Sequence, residues 1–235
     1  MALERVTFDE RTVPYTLTIS DRARQPRLII APGSGLRVVA PPGYNRQRLL
    51  SFITRKQRWI LAHLDRIAAL PTAPDAASPL PDHITFLGME RAINVTVAPR
   101  KRATVHHDAA RFTVIVPEEQ RARTALEGWL REAARFAIVA RVERRAAEMG
   151  LTYGQVAIRD QKTRWGSCSH AGNLNFNWRL VLAPPVVLDY VVVHELAHRV
   201  EMNHSARFWR IVARHCPTTK EQRLWLRKHG AALRF

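Results

Sequence analysis

Apolar and polar residues alternate at Tyr15-Thr16-Leu17-Thr18-Ile19, which predicts a half-buried strand. Arg27 to Ile30 and Leu36 to Ala40 read the same way, separated by a turn at Pro32-Gly33-Ser34-Gly35. The period then changes. Leu49, Leu50, Ile53, Trp59, Ile60, Leu64 and Ile67 recur at helical spacing between basic residues, predicting a helix from about Asn45 to Leu70. A proline-rich stretch, about 71–82, reads as a linker, because its prolines sustain neither a helix nor a central strand.

Strands are expected again at Ile84 to Leu87, Ala92 to Val97 and Phe112 to Val116. A long helix should follow from about Glu118 to Met149, stopped by Gly150. Beyond it, Val156 to Arg159, Arg164 to Ser169, Leu174 to Asn177 and Arg179 to Leu182 read as short strands, with a hairpin turn at Ala171-Gly172-Asn173. A helix should open at Pro184-Pro185 and run to about Glu201, with Asp189 complementing the dipole of its early turns. Two more helices are expected, about Ser205 to His215 and Lys220 to His229. The stretches VVAPPGYNRQRLLSFITRKQRWI and VIVPEEQRARTALEGWLREAARF echo one another, and the plainer reading is two ordinary β–α transitions.

Charge alters this picture more than composition does. Lys and Arg outnumber Asp and Glu by 37 to 20, a net +17 that favours anionic partners such as nucleic acid, nucleotides or acidic proteins. The basic residues are spread along the chain, and no helix-turn-helix, zinc-finger or RNA-binding signature accompanies them. Non-specific nucleic acid or nucleotide binding fits that surface; sequence-specific reading does not. The two cysteines, Cys168 and Cys216, form no C-x-x-C pair, so neither a disulfide scaffold nor a Cys-based zinc knuckle is available. With charges at the N-terminus and no stretch of roughly 18 apolar residues, neither Sec export nor a membrane span is expected. A reducing cytoplasm is the expected compartment.

The chemistry concentrates at His194-Glu195-Leu196-Ala197-His198, an H-E-x-x-H. On a helix, positions i and i+4 share a face, so both imidazoles reach one metal ion, while Glu195 can lean over the open position and hold a water. Val187, Leu188, Val191, Val192 and Val193 make this helix apolar nearly all round. Unpaired imidazoles there would be costly, and a metal removes that cost. A catalytic zinc needs a third protein ligand. Glu201 lies on the same stripe, but about 10.5 Å of rise separates i from i+7. His204, just past the expected helix end, can face back at the ion after a turn at Met202-Asn203.

Arg164-Trp165-Gly166-Ser167-Cys168-Ser169 is the second unusual segment. Gly166 permits close approach of another backbone, and Arg164 could bind a substrate group or steady an oxyanion. An edge strand with a buried Trp and a solvated Arg accounts for it equally well.

The segments KTRWGSCS, GNLNFNWRLVLAP and LDYVVVHELAHRVEMNHSARFW resemble the YgjP-like metallopeptidase family, related more distantly to SprT-like and WLM proteases. The early strands, the Trp59-Ile60 helix and WLRKHG extend the resemblance over most of the chain. It implies an α+β fold in which a zincin-like catalytic domain, 118–235, is built around the HExxH helix and preceded by a β-rich region, 1–117. It implies one Zn2+ per chain at His194, His198 and His204, with Glu195 as the catalytic glutamate activating a water to attack a peptide bond. Arg164, Trp165, Gly166 and Ser167 are the expected substrate-binding residues. Two alternatives stay open: a metal-dependent nucleotide (UTP-type) pyrophosphatase and a nucleic-acid-associated SprT-like protease. The expected partner is a peptide or protein substrate.

Overall fold

The computed structural model describes residues 2–9, 11–31, 35–68 and 80–233. Most of the expected linker, and the expected turn up to Ser34, lie outside them. The chain forms two compact units, Met1–Pro71 and Thr72–Phe235.

In the first unit, β1 (Ala2–Phe8), β2 (Arg11–Ile19), β3 (Arg27–Ala31) and β4 (Gly35–Ala40) form a sheet of order β1-β2-β4-β3. β2 and β4 run parallel from Tyr15↔Leu36 to Ile19↔Ala40, and each outer strand is antiparallel to its neighbour. Alternation turns Val13, Tyr15 and Leu17 inward. Helices α1 (Arg46–Arg55) and α2 (Gln57–Ala68) cover that face with Leu49, Ile53 and Ile60. The single helix expected from about Asn45 to Leu70 is therefore two, broken at Lys56. Asn45 caps the first, its Oδ1 accepting from the Arg48 N–H at 3.0 Å.

In the second unit, β5 (His83–Phe86), β6 (Met89–Val97), β7 (Thr104–His107) and β8 (Arg111–Val116) form a sheet of order β5-β6-β8-β7, with β6 and β8 parallel and the outer strands antiparallel. This repeats the strand order and pairing senses of the first sheet, and each sheet leads through a proline into a basic helix. The echo read as two unrelated transitions is thus part of a repeated four-stranded motif. β1 and β7 were not expected from the sequence, being short of clean alternation.

Helix α3 (Ala122–Met149) packs on this second sheet. Leu126, Leu130, Ala134, Ile138, Val142 and Ala146, four apart, form its buried stripe. Gly150 ends it in the left-handed conformation at φ 65°. Because β8 and α3 share one core, the compact units divide at Pro71, whereas the sequence reading drew its boundary between 117 and 118.

A small sheet follows, β9 (Val156–Arg159), β10 (Gly166–Cys168) and β11 (Leu174–Asn177), ordered β10-β11-β9 with β10 at an edge. Arg179 to Leu182, expected as a strand, fall in a 3-10 helix, Trp178–Leu182, which Asn177 starts by accepting from the Arg179 N–H at 3.0 Å. Three helices complete the unit: α4 (Pro185–Ala197), α5 (Ala206–His215) and α6 (Thr219–His229). α4 is buried nearly all round and packs against α3, α5, α6 and β10. The chain is α+β, with the HExxH helix at the centre of its larger unit and a β-rich N-terminal region.

Candidate metal centre

α4 ends at Ala197, one turn earlier than its periodicity suggested. His198 keeps near-helical angles (φ −64°, ψ −13°), so the i, i+4 relation to His194 survives. Arg199 holds the turn that follows, its Nε donating to the Thr152 carbonyl at 2.9 Å. At Gly172 (φ 81°) a Cβ would lie 2.7 Å from the Arg199 guanidinium carbon, so a larger residue would push this clamp away. The chain then bends back to His204, and Ser205 opens α5 by accepting from the Phe208 N–H.

These local events gather His194, His198 and His204, whose candidate ligand atoms all lie within 4.8 Å of one another. The Nε2 atoms of His194 and His204 approach to 3.0 Å. Nδ1 of His198 lies 3.1 Å from the Glu201 carbonyl, which can only accept, so that nitrogen carries the proton and Nε2 presents a lone pair. Nδ1 of His194 sits 3.4 Å from the Tyr190 hydroxyl. Burial pushes His194 down to about 3, helped by His198, His204 and the charge of Arg223; burial also lowers His204. Two of the three rings are thereby held neutral at physiological pH, the form that binds metal. Phe208, fully buried, floors the cluster with its ring centroid 4.5–4.9 Å from all three imidazoles.

Glu195 is 5% exposed. Burial pushes its carboxyl up to about 8, while the charge of Arg164 pulls the other way. Its side chain lies directly against β10: a Cβ on Gly166 would stand 2.5 Å from Oε1 and 2.7 Å from Cγ of Glu195. The close neighbour expected at Gly166 is not another backbone but this carboxylate side chain.

The other sequence candidates divide. Arg164 is exposed and near enough for its charge to act on Glu195. Trp165 turns its ring towards Gly230, where a Cβ would meet it at 2.8 Å. The Ser167 hydroxyl accepts from Asn175 Nδ2 across the sheet at 3.3 Å. Glu201 contributes its carbonyl to His198, while its carboxylate accepts from the Asn203 N–H at 3.3 Å. Tyr190, Phe208, Trp209 and Arg223 were not anticipated as site neighbours. The i, i+4 pairs Tyr190/His194 and His204/Phe208 were the available signal. A cavity of about 740 Å³ lined by Ile84, Gly88, Leu182, Pro184, Trp225 and Leu233 includes none of the three histidines.

A family model described as YgjP-like, metallopeptidase domain, matches residues 24–229. The chain belongs to this family. A YgjP-like metallopeptidase domain implies a divalent metal and a peptide or protein substrate. Among the described residues, the three histidines are the one group of His, Cys, Asp or Glu arranged to hold such an ion. The α+β class expected from the resemblance is the class of this chain, with the HExxH helix central in the larger unit. Among solved structures it is similar to the metallopeptidase zymogen of Pyrococcus abyssi abylysin: 24% identity, 38% of this chain and 93% of that one covered, TM-score 0.35. It is also similar to the metallopeptidase zymogen of Methanocaldococcus jannaschii jannalysin: 20% identity, 39% and 88% covered, TM-score 0.36. Among curated proteins none matches. No helix among the described residues is long and apolar enough to cross a membrane.

Proposed function

We propose that this YgjP-like metallopeptidase is a zinc-dependent peptidase in which His194, His198 and His204 hold one Zn2+ and Glu195 activates the attacking water. The observation that carries the reading is the convergence of three imidazoles beside a buried carboxylate. The donor set fits zinc: three ring nitrogens leave a fourth position open, as catalytic zinc requires, whereas structural sites are closed by four protein ligands. When bound, the ion supplies positive charge that polarises the scissile carbonyl and acidifies water.

The remaining work falls to the chain. Glu195 accepts the proton of the water whose oxygen bonds to the carbonyl carbon, then returns it to the nitrogen as the C–N bond breaks. Packing against Gly166 limits where its carboxylate can stand. The unpaired edge of β10 offers main-chain groups to an extended peptide, and Gly166 and Ser167 lie on it, directly after Trp165. Arg164 steadies negative charge that develops next to Glu195. Cys168 and Cys216 are both free thiols, which fits the cytoplasm as the compartment.

The test pairs elemental analysis with peptide hydrolysis. Glu195→Gln should retain one zinc per chain and lose about 10²–10⁴-fold in turnover. His204→Ala should lose the metal. Hydrolysis persisting in zinc-loaded Glu195→Gln protein would refute the mechanism. Phosphate release from UTP that disappears in His194→Ala would replace the peptidase reading with the nucleotide one.

A further inference from the structure

Resting on the peptidase reading, we propose that this site selects peptides bearing a carboxylate within about three residues of the scissile bond, and that Arg223 is the group that grips it.

α6 carries Arg223 to a position where its Cζ lies 4.3 Å from the centroid of the Trp209 ring. Trp209 in turn lies 5.6 Å from His204, with the ring planes only 30° apart, and 5.7 Å from His194. The indole thus neighbours both the imidazoles and the guanidinium. A cation–π contact of this kind holds the guanidinium over the indole without using up its N–H donors.

Among the described residues those donors meet no carboxylate. The arginines that fasten this unit meet acids: Arg131 and Arg179 meet Asp160, and Arg141 and Arg145 meet Asp189. Among the described residues neither Arg223 nor Arg164 has a carboxylate within 4.0 Å. Yet both stand by the centre: Arg223 lies over Trp209, whose ring is 5.6 Å from His204 and 5.7 Å from His194, and Arg164 is two residues from Gly166, which faces Glu195. Two unmatched cations therefore flank a site that would gain further positive charge with its ion, in a chain of net charge +17. A neutral peptide would leave Arg223 solvated. A carboxylate would accept two parallel hydrogen bonds from the planar fork of Arg223. Phosphate shares this anionic chemistry, but three nitrogen ligands suit carbonyl hydrolysis at zinc better than magnesium-assisted phosphate chemistry, which takes oxygen ligands. The carboxylate has two sources, an Asp or Glu side chain or the free C-terminus of the substrate.

The test uses the full, zinc-loaded chain and peptides sharing one cleavable bond. One series exchanges Glu for Gln at each flanking position; the other exchanges a free C-terminus for an amide. The wild type should favour the acidic member by about tenfold or more in kcat/KM. The series that shows the preference identifies the source. Arg223→Gln should bring the acidic-to-neutral ratio to about one, Arg223→Lys should keep part of it, and Arg223→Glu should shift preference towards Lys-containing peptides. Zinc content and circular dichroism identify a variant that fails to fold. A wild-type ratio of about one, or a ratio unchanged by Arg223→Gln, overturns the proposal. Affinities of the same peptides for Glu195→Gln protein, with and without Arg223→Gln, separate the two readings. Acid-selective binding that needs Arg223, with no peptide cleaved by the wild type, supports the grip and sinks the peptidase reading. UTP binding that needs Arg223 and exceeds that of every acidic peptide assigns the guanidinium to phosphate and overturns the proposal.

Discussion

At Gly166 a single added methyl would collide with the carboxylate proposed to move the proton. Glu195 is buried and cannot retreat without displacing its neighbours. Gly166→Ala is therefore expected to cost about 10²-fold in turnover, the scale of an ångström misplacement, while zinc content stays at one per chain. Kinetics and elemental analysis on one preparation check this, and unaltered turnover would remove the positioning role of Gly166. The glycine was visible in the sequence, but its partner was not, because the contact joins a strand to a helix far along the chain. His194, Glu195 and His198 were legible because one helical turn relates them. His204 was legible because a short bend returns it. Phe208, Trp209 and Tyr190 were not, since an aromatic residue flooring a histidine cluster looks in sequence like any core aromatic.

At the level of elements, α4 is held by α3 through charge as well as packing. Asp189 is 9% exposed; its Oδ1 accepts from Arg145 Nε at 2.9 Å, its Oδ2 from Arg145 Nη2, and Arg141 and Arg144 stand close by. In the sequence Asp189 has only a helix-dipole role, and the arginines of α3 are part of a basic excess spread along the chain. What the sequence lacked was the crossing of two helices, which turns two separate charge patterns into one network. Asp189→Ala leaves guanidinium groups without their carboxylate and should lower stability by about 2–3 kcal/mol. That is less than the about 3–5 of a fully buried pair, because Arg144 and Arg145 are 56% and 22% exposed. Urea unfolding measures the change, and a loss under about 0.5 kcal/mol would show the network to be solvent-compensated.

A second clasp joins α3 to the 3-10 helix through Asp160, which accepts from Arg131 at 2.7 Å and from Arg179, both guanidinium groups lying over the Trp178 ring. Burial pushes the Asp160 carboxyl up, but the hydrogen bonds and charges of the two arginines outweigh it and hold it below the ordinary carboxylate value. A carboxyl whose folded value is depressed stabilises the fold above its unfolded value, and that contribution is lost as pH falls through the folded value. Unfolding midpoints measured from neutral pH down into the acid range should fall less steeply for Asp160→Asn than for the wild type. Parallel curves would show that Asp160 carries none of the acid sensitivity.

Across the whole molecule, two separate apolar cores follow the two units: Val13, Tyr15, Leu36, Ile53 and their neighbours in one, and Phe112, Leu130, Trp178, Val192 and theirs in the other. Residues 72–235 expressed alone should give one cooperative thermal transition and bind one zinc, because among the described residues the core around α4 is built from Leu80 onwards. A chain fragment that melts without cooperativity would show that the first unit is needed for folding. The repeated strand order of the two sheets was hinted at by a sequence echo and became evident only through pairing, since register and parallel partners depend on contacts between distant strands.

Local rules acted within a turn or two of backbone, so the sequence alone determined most of the helices and strands, the two imidazoles of one helix face and the excess of positive charge. Tertiary structure decided which carboxylate meets which arginine, what presses on Gly166, where the units divide, and that Arg223 stands one indole away from the imidazoles. Those outcomes depend on how separately formed elements cross and pack, and a contact between remote residues leaves no periodic trace in the chain that makes it.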